Sequence, residues 1–135
     1  MLEISGAEGD ANMRSFMNWE EMESNAVRQG IPIADVRLHY QKLGQFRKAH
    51  PAVGAGLHQM ITEEPYVFSR VFESNGYSDQ VVAGLDLDPG KKELDLGGLF
   101  EEGTVLRDYY SGKQAAVKEG RVTIDSPHPL VLLGL

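Results

Sequence analysis

The sequence predicts a mainly β chain, an antiparallel β-sandwich of Greek-key type preceded by an irregular arm and one long amphipathic helix. Three observations carry this. From Leu57 onward, short segments of alternating apolar residues are separated by turn dipeptides. One stretch, Asp35–Gly56, has the apolar spacing of a helix instead. Residues 1–34 carry few apolar residues in any period.

Within the arm, SGAEGDAN has the Gly, Asp and Asn of a loop, and Met13, Phe16, Met17 and Trp19 form its apolar content. Glu20, Glu21 and Glu23 read as a solvated face rather than a site. Ile31 and Ile33 flank Pro32, an extended lead-in to the helix. In the helix, Val36, Tyr40, Leu43 and Phe46 recur at spacings of three and four, which puts them on one face. Asp35 suits the first turn or the N-cap, and Arg47, Lys48 and His50 suit the last turn beside the negative end of the helix dipole. Pro51 ends the helix, and Gly54 and Gly56 turn the chain away.

The strands follow in order. In Tyr66–Phe72 one face carries Tyr66, Phe68 and Phe72, and the other Val67 and Val71. Asn75-Gly76 marks a hairpin to the next strand. There Val81, Ala83, Leu85 and Leu87 alternate with Val82, Gly84, Asp86 and Asp88, a half-buried pattern closed by Asp88-Pro89-Gly90. Strands are expected at Val105–Tyr110, Ala115–Lys118 and Arg121–Asp125, turning near Ser111-Gly112 and at Glu119-Gly120. Leu130–Leu135 is continuously apolar and reads as a covered strand.

With 135 residues the chain fits one modest domain. It has no cysteine, so disulfides and thiolate metal sites are excluded. A net charge of −7 argues against a nucleic-acid or anionic-membrane surface, both of which need clustered Lys and Arg. No apolar run approaches the roughly 18–20 residues of a membrane span. The N-terminus lacks a signal-peptide pattern, and Met1-Leu2-Glu3 is expected to be a start inside a longer gene.

Residues with catalytic potential do not assemble into a known chemistry. His39, His50, His58 and His128 lack metal-ligand spacing and read as surface or hydrogen-bonding residues. Asp86 and Asp88 share a strand face, as acid–base or calcium chemistry requires, but precede Pro-Gly and read as a solvent-facing strand end. Ser126 and His128 flank Pro127 without a nucleophile elbow. Gly97-Gly98 is not followed by a helix, so no phosphate cradle is expected. No metal or cofactor is implied.

The residues do carry a resemblance. FRKAHPAVGAG at Phe46–Gly56, after HYQKLGQ, resembles the last barrel helix and exit segment of the α-amylase family of glycoside hydrolases. Met17-Asn18-Trp19 resembles that family's Met-x-Trp segment after the eighth barrel strand. VLRDYYSGKQAAV, then RVTID and a closing apolar strand, is similar to its C-terminal β-sandwich. The pieces occur in the family's order and cover nearly the whole chain.

The resemblance divides the chain into a loop after the last barrel strand (1–34), the last barrel helix and exit (35–56) and a C-terminal sandwich domain (57–135). It implies a parent that cleaves or transfers α-glucans such as starch with a retaining pair of carboxylates about 5–5.5 Å apart. The (β/α)8 barrel that holds them takes about 250 residues, and the family's catalytic Asp and Glu motifs are absent here, so this chain alone is expected to be inactive. In related neopullulanases and maltogenic amylases an Asp, with an Arg four residues later, binds glucose ahead of Met-x-Trp. Asp10 and Arg14 match those positions, as a sugar contact in the intact enzyme or as a salt bridge pinning a loop.

The function implied is a non-catalytic C-terminal domain that packs against and stabilises the barrel. The alternative is a starch- or maltooligosaccharide-binding module. Such a module needs a row of exposed aromatics, and Tyr109 and Tyr110 are expected on opposite faces, with Tyr77 in a turn. Without a barrel, the helix stripe is expected to fold back on the sandwich or to pair with a second copy as a homodimer.

Overall fold

The computed structural model describes residues 18–135. The chain divides after His39 into two units, and the division falls inside a helix.

The described part of the first unit begins with α1 (Trp19–Glu23), capped where Asn18 Oδ1 accepts the Glu21 N–H at 3.1 Å. Strands β1 (Val27–Arg28) and β2 (Ile31–Pro32) form a small hairpin. Its turn residues, Gln29 and Gly30, both have positive φ (51° and 80°), the geometry a two-residue hairpin loop demands. The Ile33 N–H donates to Ala26 O at 3.0 Å, closing the hairpin as α2 (Ile33–Ala49) begins. The helix therefore starts two residues before Asp35, and the extended lead-in is limited to Ile31–Pro32. Arg28 pairs with Glu21 at 2.6 Å, but the arginine is largely in water and the glutamate partly so, so the pair contributes little.

Among the described residues before Tyr40, no hydrophobic side chain is buried. Trp19 is 63% exposed, Val27 58%, Ile31 54%, Val36 42% and Leu38 48%.

The second unit is the sandwich with the end of α2. After α3 (Ala52–Ala55) come β3 (Leu57–Thr62), β4 (Tyr66–Ser74), β5 (Tyr77–Leu85), β6 (Gly90–Asp95), β7 (Val105–Asp108), β8 (Gln114–Ala116), β9 (Arg121–Ser126) and β10 (Val131–Gly134). One sheet runs β3-β4-β5-β10-β7-β8, and β6 pairs with β9 in the other. Every pairing is antiparallel. The last strand returns to lie between β5 and β7, the non-local neighbour that a Greek-key sheet requires.

The main core lies between the sheets. Val67, Val82, Leu106, Val131 and Leu133 from the large sheet meet Leu94, Val122 and Ile124 from the small one. A second cluster covers the outer face of the large sheet, where Phe46 of α2 and Ala52 of α3 pack on Val81, Ala83 and Leu132. Leu43, Phe68, Phe72, Tyr109 and Tyr110 border it. The last turns of α2 thus fold back on the sandwich through Phe46 and Leu43, while Tyr40 stays exposed.

Three expectations need correction. Strand β5 is buried on both faces from Val81 to Gly84, because the core lies under one face and the helix over the other. It ends at Leu85, so Asp86 and Asp88 belong to the following turn, with Asp86 at φ 58°. Strand β7 stops at Asp108, so Tyr109 and Tyr110 lie in a turn and both border the helix-side cluster rather than opposite faces.

Candidate functional site

Asp10 and Arg14 lie outside the described residues. The histidines are not gathered into one site. His50, His58 and His128 each have their own local contacts. His50 is buried at the end of α2, and its Nδ1 donates to Asp79 Oδ1 at 2.8 Å. Asp79 Oδ2 accepts the Ala52 N–H at 2.9 Å, so one β5 carboxylate holds the exit from α2 and the start of α3. The far edge of the ring lies over Gly134, where any Cβ would come within 2.3 Å of Nε2. That nitrogen is buried with no hydrogen-bond partner. Phe46 and Tyr109 enclose the ring, with centroids 5.4 and 5.1 Å away. The arrangement is a latch between helix and sheet, with no room for substrate.

His128 stands edge-on to Tyr110 at 5.0 Å, and the Lys42 ammonium lies 4.6 Å from the same ring. Burial, then the Lys42 charge, pushes the imidazole below its ordinary pKa of 6.5. Ser126 does not serve it as a nucleophile. Its hydroxyl instead faces the buried Lys92 ammonium at 3.2 Å, which also donates to Ser126 O at 2.6 Å and Gly90 O at 3.0 Å.

The fully buried Asp108 is similarly occupied. Its carboxylate accepts from the N–H groups of Tyr110, Ser111 and Leu132 and from the Ser111 hydroxyl. The Lys92 ammonium and the Asp108 carboxylate thus have their partners inside the fold, where they close turns and strand ends.

Asp86 and Asp88 join Glu63, Glu64, Tyr66 and Lys91 along an open groove of about 660 Å³. A larger groove of about 1040 Å³ runs across β6, β8 and β9, lined by Lys91, Glu93, Glu102, Lys118, Glu119 and Arg121. Its charges are partly matched internally: Arg121 pairs with Glu93 at 2.8 Å, and Glu102 accepts the Glu119 N–H. Among the described residues, no group of three His, Cys, Asp or Glu side chains could hold a metal ion. Gly97 and Gly98 have positive φ in a loop, with no helix behind them.

The arrangement that sequence reasoning missed lies on the outer face of the large sheet, beyond the helix. Met60 pairs across from Phe68, and Tyr66 across from Leu85, which aligns the outward residues of three strands. His58 reaches diagonally over Phe68, with ring centroids 4.6 Å apart. The His58 Nε2 and the Tyr66 hydroxyl are 2.8 Å apart, and the planes of the two rings are inclined by 21°, centroids 6.3 Å apart. Tyr66 also lies 5.6 Å from Phe68, so the three rings form one aromatic cluster on this face. Met60 (52% exposed) and Leu85 (37%) flank it. The register of β3 on β4 creates this surface, and β3 carries no alternating apolar signal that would have placed it.

No protein-family model and no curated protein matches the chain. Solved structures do. An Anoxybacillus α-amylase superposes with a TM-score of 0.55 at 20% identity, covering 80% of this chain and 24% of that one. AmyP in complex with maltose gives 0.55 at 21% identity, covering 80% of this chain and 21% of that one. A variant of AmyP in complex with maltotriose gives 0.53 at 22%, covering 75% and 20%. At these identities the likeness is one of fold. The chain spans about a quarter or less of its neighbours' length. Its architecture is one that α-amylase-family glycoside hydrolases carry as a part of a larger chain.

Proposed function

We propose that this chain is the C-terminal part of an α-amylase-family glycoside hydrolase, non-catalytic in itself, whose sandwich packs against and stabilises the catalytic barrel. In this reading, 1–34 is the loop after the last barrel strand, 35–56 the last barrel helix and exit, and 57–135 the C-terminal domain. The observation that carries it is the contrast along the chain. Residues 40–135 have their own core, whereas the described residues before them bury no hydrophobic side chain. Leaving Trp19, Val27, Ile31 and Leu38 in water is unfavourable, and a barrel surface is the partner that would cover them.

The fold likeness to chains more than three times longer agrees with this, as do the maltose and maltotriose complexes of one neighbour, which point to an α-glucan as the parent's substrate. Asp10 and Arg14 would then bind a glucose unit beside the cleavage point, the carboxylate accepting from hydroxyls and the guanidinium donating to them.

Two measurements test this. Antibodies raised against the chain should detect, in extracts of the cells it comes from, a polypeptide several times heavier than 14.9 kDa. A native product of the chain's own mass would overturn the reading. The purified chain should also release no reducing sugar from starch.

A second copy is the other partner able to cover the exposed face of α2 around Val36. Sedimentation at micromolar concentration would show a dimer in that case, and one weakened by Val36→Glu.

A further inference from the structure

We propose that the free edge of β3 is an interface between two copies of this chain, which pair antiparallel through Leu57–Ile61 and join their large sheets into one. The inference is independent of the parent reading and of the exposed face of α2.

An edge strand turns half of its backbone N–H and C=O groups outward, and a fold that stays single blunts such an edge with charge, proline, shortness or cover. The other outer strands of the sandwich are protected in these ways. Strand β8 is three residues long, and the chain after it turns into β9 across the Lys118–Arg121 bridge. Strands β6 and β9 carry exposed Lys91, Glu93, Arg121 and Asp125. Strand β3 has six residues, none of them Lys, Arg, Asp, Glu or Pro. Among the described residues it pairs with β4 alone, and Leu57, His58, Gln59 and Met60 are all exposed.

The chemistry along this edge is complementary to itself. The register shift between Met60 and Thr62 ends the regular run, which leaves Leu57–Ile61, centred on Gln59. A two-fold axis there sets Gln59 against its own copy, His58 against Met60 and Leu57 against Ile61, each pair on one face of the joined sheet. Leu57, 83% exposed, thereby gains an apolar neighbour. The two ends of the strand also differ in charge. Glu63 and Glu64 follow β3 at one end and are exposed. At the other end Arg70 donates to Gly56 O at 2.8 Å, and the Arg47 guanidinium lies against Gly54. Antiparallel pairing brings the acidic end of each copy alongside the basic end of the other, where such charges set orientation more than affinity. Parallel pairing would oppose like charges, and an arbitrary extended peptide would match neither end.

The test is sedimentation of the full chain from micromolar to near-millimolar concentration, with amide exchange followed in parallel. A reversible monomer–dimer equilibrium is expected, and β3 amides should exchange more slowly as the dimer forms. Gln59→Lys and Gln59→Glu each set like charges across the axis and should weaken the dimer at least about tenfold. Mixed in equal amounts, the two variants should pair again as a heterodimer, a rescue that separates lost pairing from a damaged fold. Val36→Glu, on α2, should leave this dimer intact. A monomer at every concentration would overturn the proposal, as would a dimer that is lost with Val36→Glu or is indifferent to both Gln59 variants. Variants that stay apart when mixed would overturn it as well.

Discussion

The described residues before Tyr40 and those after it are built on opposite terms. Both contain helix and strand, capped and turned by ordinary local rules. The first stretch has a capped helix, a hairpin with a two-residue turn and the start of α2, yet none of its hydrophobic side chains is buried. The second closes two apolar clusters around Leu133 and Phe46. Local hydrogen bonds define secondary structure in both, but burial of apolar area is what makes a unit stable by itself. Helix α2 crosses the division and shows both conditions on one element: Val36 is exposed, and Phe46, ten residues on, is buried.

Substitutions should separate the two stretches by several kcal/mol. Leu133→Ala or Leu106→Ala empties a fully buried site, and urea unfolding should lose about 2–5 kcal/mol. Val27→Ala or Leu38→Ala should stay within about 0.5 kcal/mol, since their side chains already lie in water. A large loss at Leu38 would mean that the first stretch has a core of its own. A chain beginning at Tyr40 should likewise keep the urea midpoint of the full chain.

The polar ties of the second unit come next in size. Asp108→Ala strands three buried or half-buried N–H groups, and Asp79→Ala removes the acceptor of both His50 and Ala52. Each should cost about 1–3 kcal/mol. Asp79→Ala should also loosen the last turns of α2, visible as faster amide exchange there.

These ties were the least legible features of the chain. The hairpin at Asn75-Gly76, the turn at Glu119-Gly120 and the covered last strand were readable because turn chemistry and apolar runs are local signals. Strand β6, with its GKKELD, was hidden because its inward position 92 is a lysine, hydrogen-bonded to carbonyl acceptors that only the fold brings together. Strand β3 was hidden by its edge position, which leaves Leu57 and Met60 exposed without alternation. Tyr109 and Tyr110 were misplaced because alternation stops where Asp108 bends the chain. The His58–Tyr66 surface needed the register between two strands, which no single segment encodes.

The smallest expected effect is a pH dependence. Burial, then Lys42, depresses the His128 pKa in the folded state, so the unfolded chain binds the proton more readily. Stability is therefore level above pH 6.5, falls as pH drops through that value, and flattens below the folded pKa. His128→Gln should remove this part of the slope in thermal melts between neutral and mildly acidic pH. An unchanged slope would assign the dependence to other groups.

Hydrogen exchange along α2 tests most directly whether one stretch carries its own stability and the other awaits a partner. Amides from Leu43 to Ala49 should exchange only with global unfolding of the sandwich, as slowly as those of β5 and β10. Amides from Val27 to Leu38 should exchange by local opening, orders of magnitude faster. Equal, slow exchange on both sides of His39 in a monomer would contradict the account, because the first stretch would then be stable without any surface to cover it.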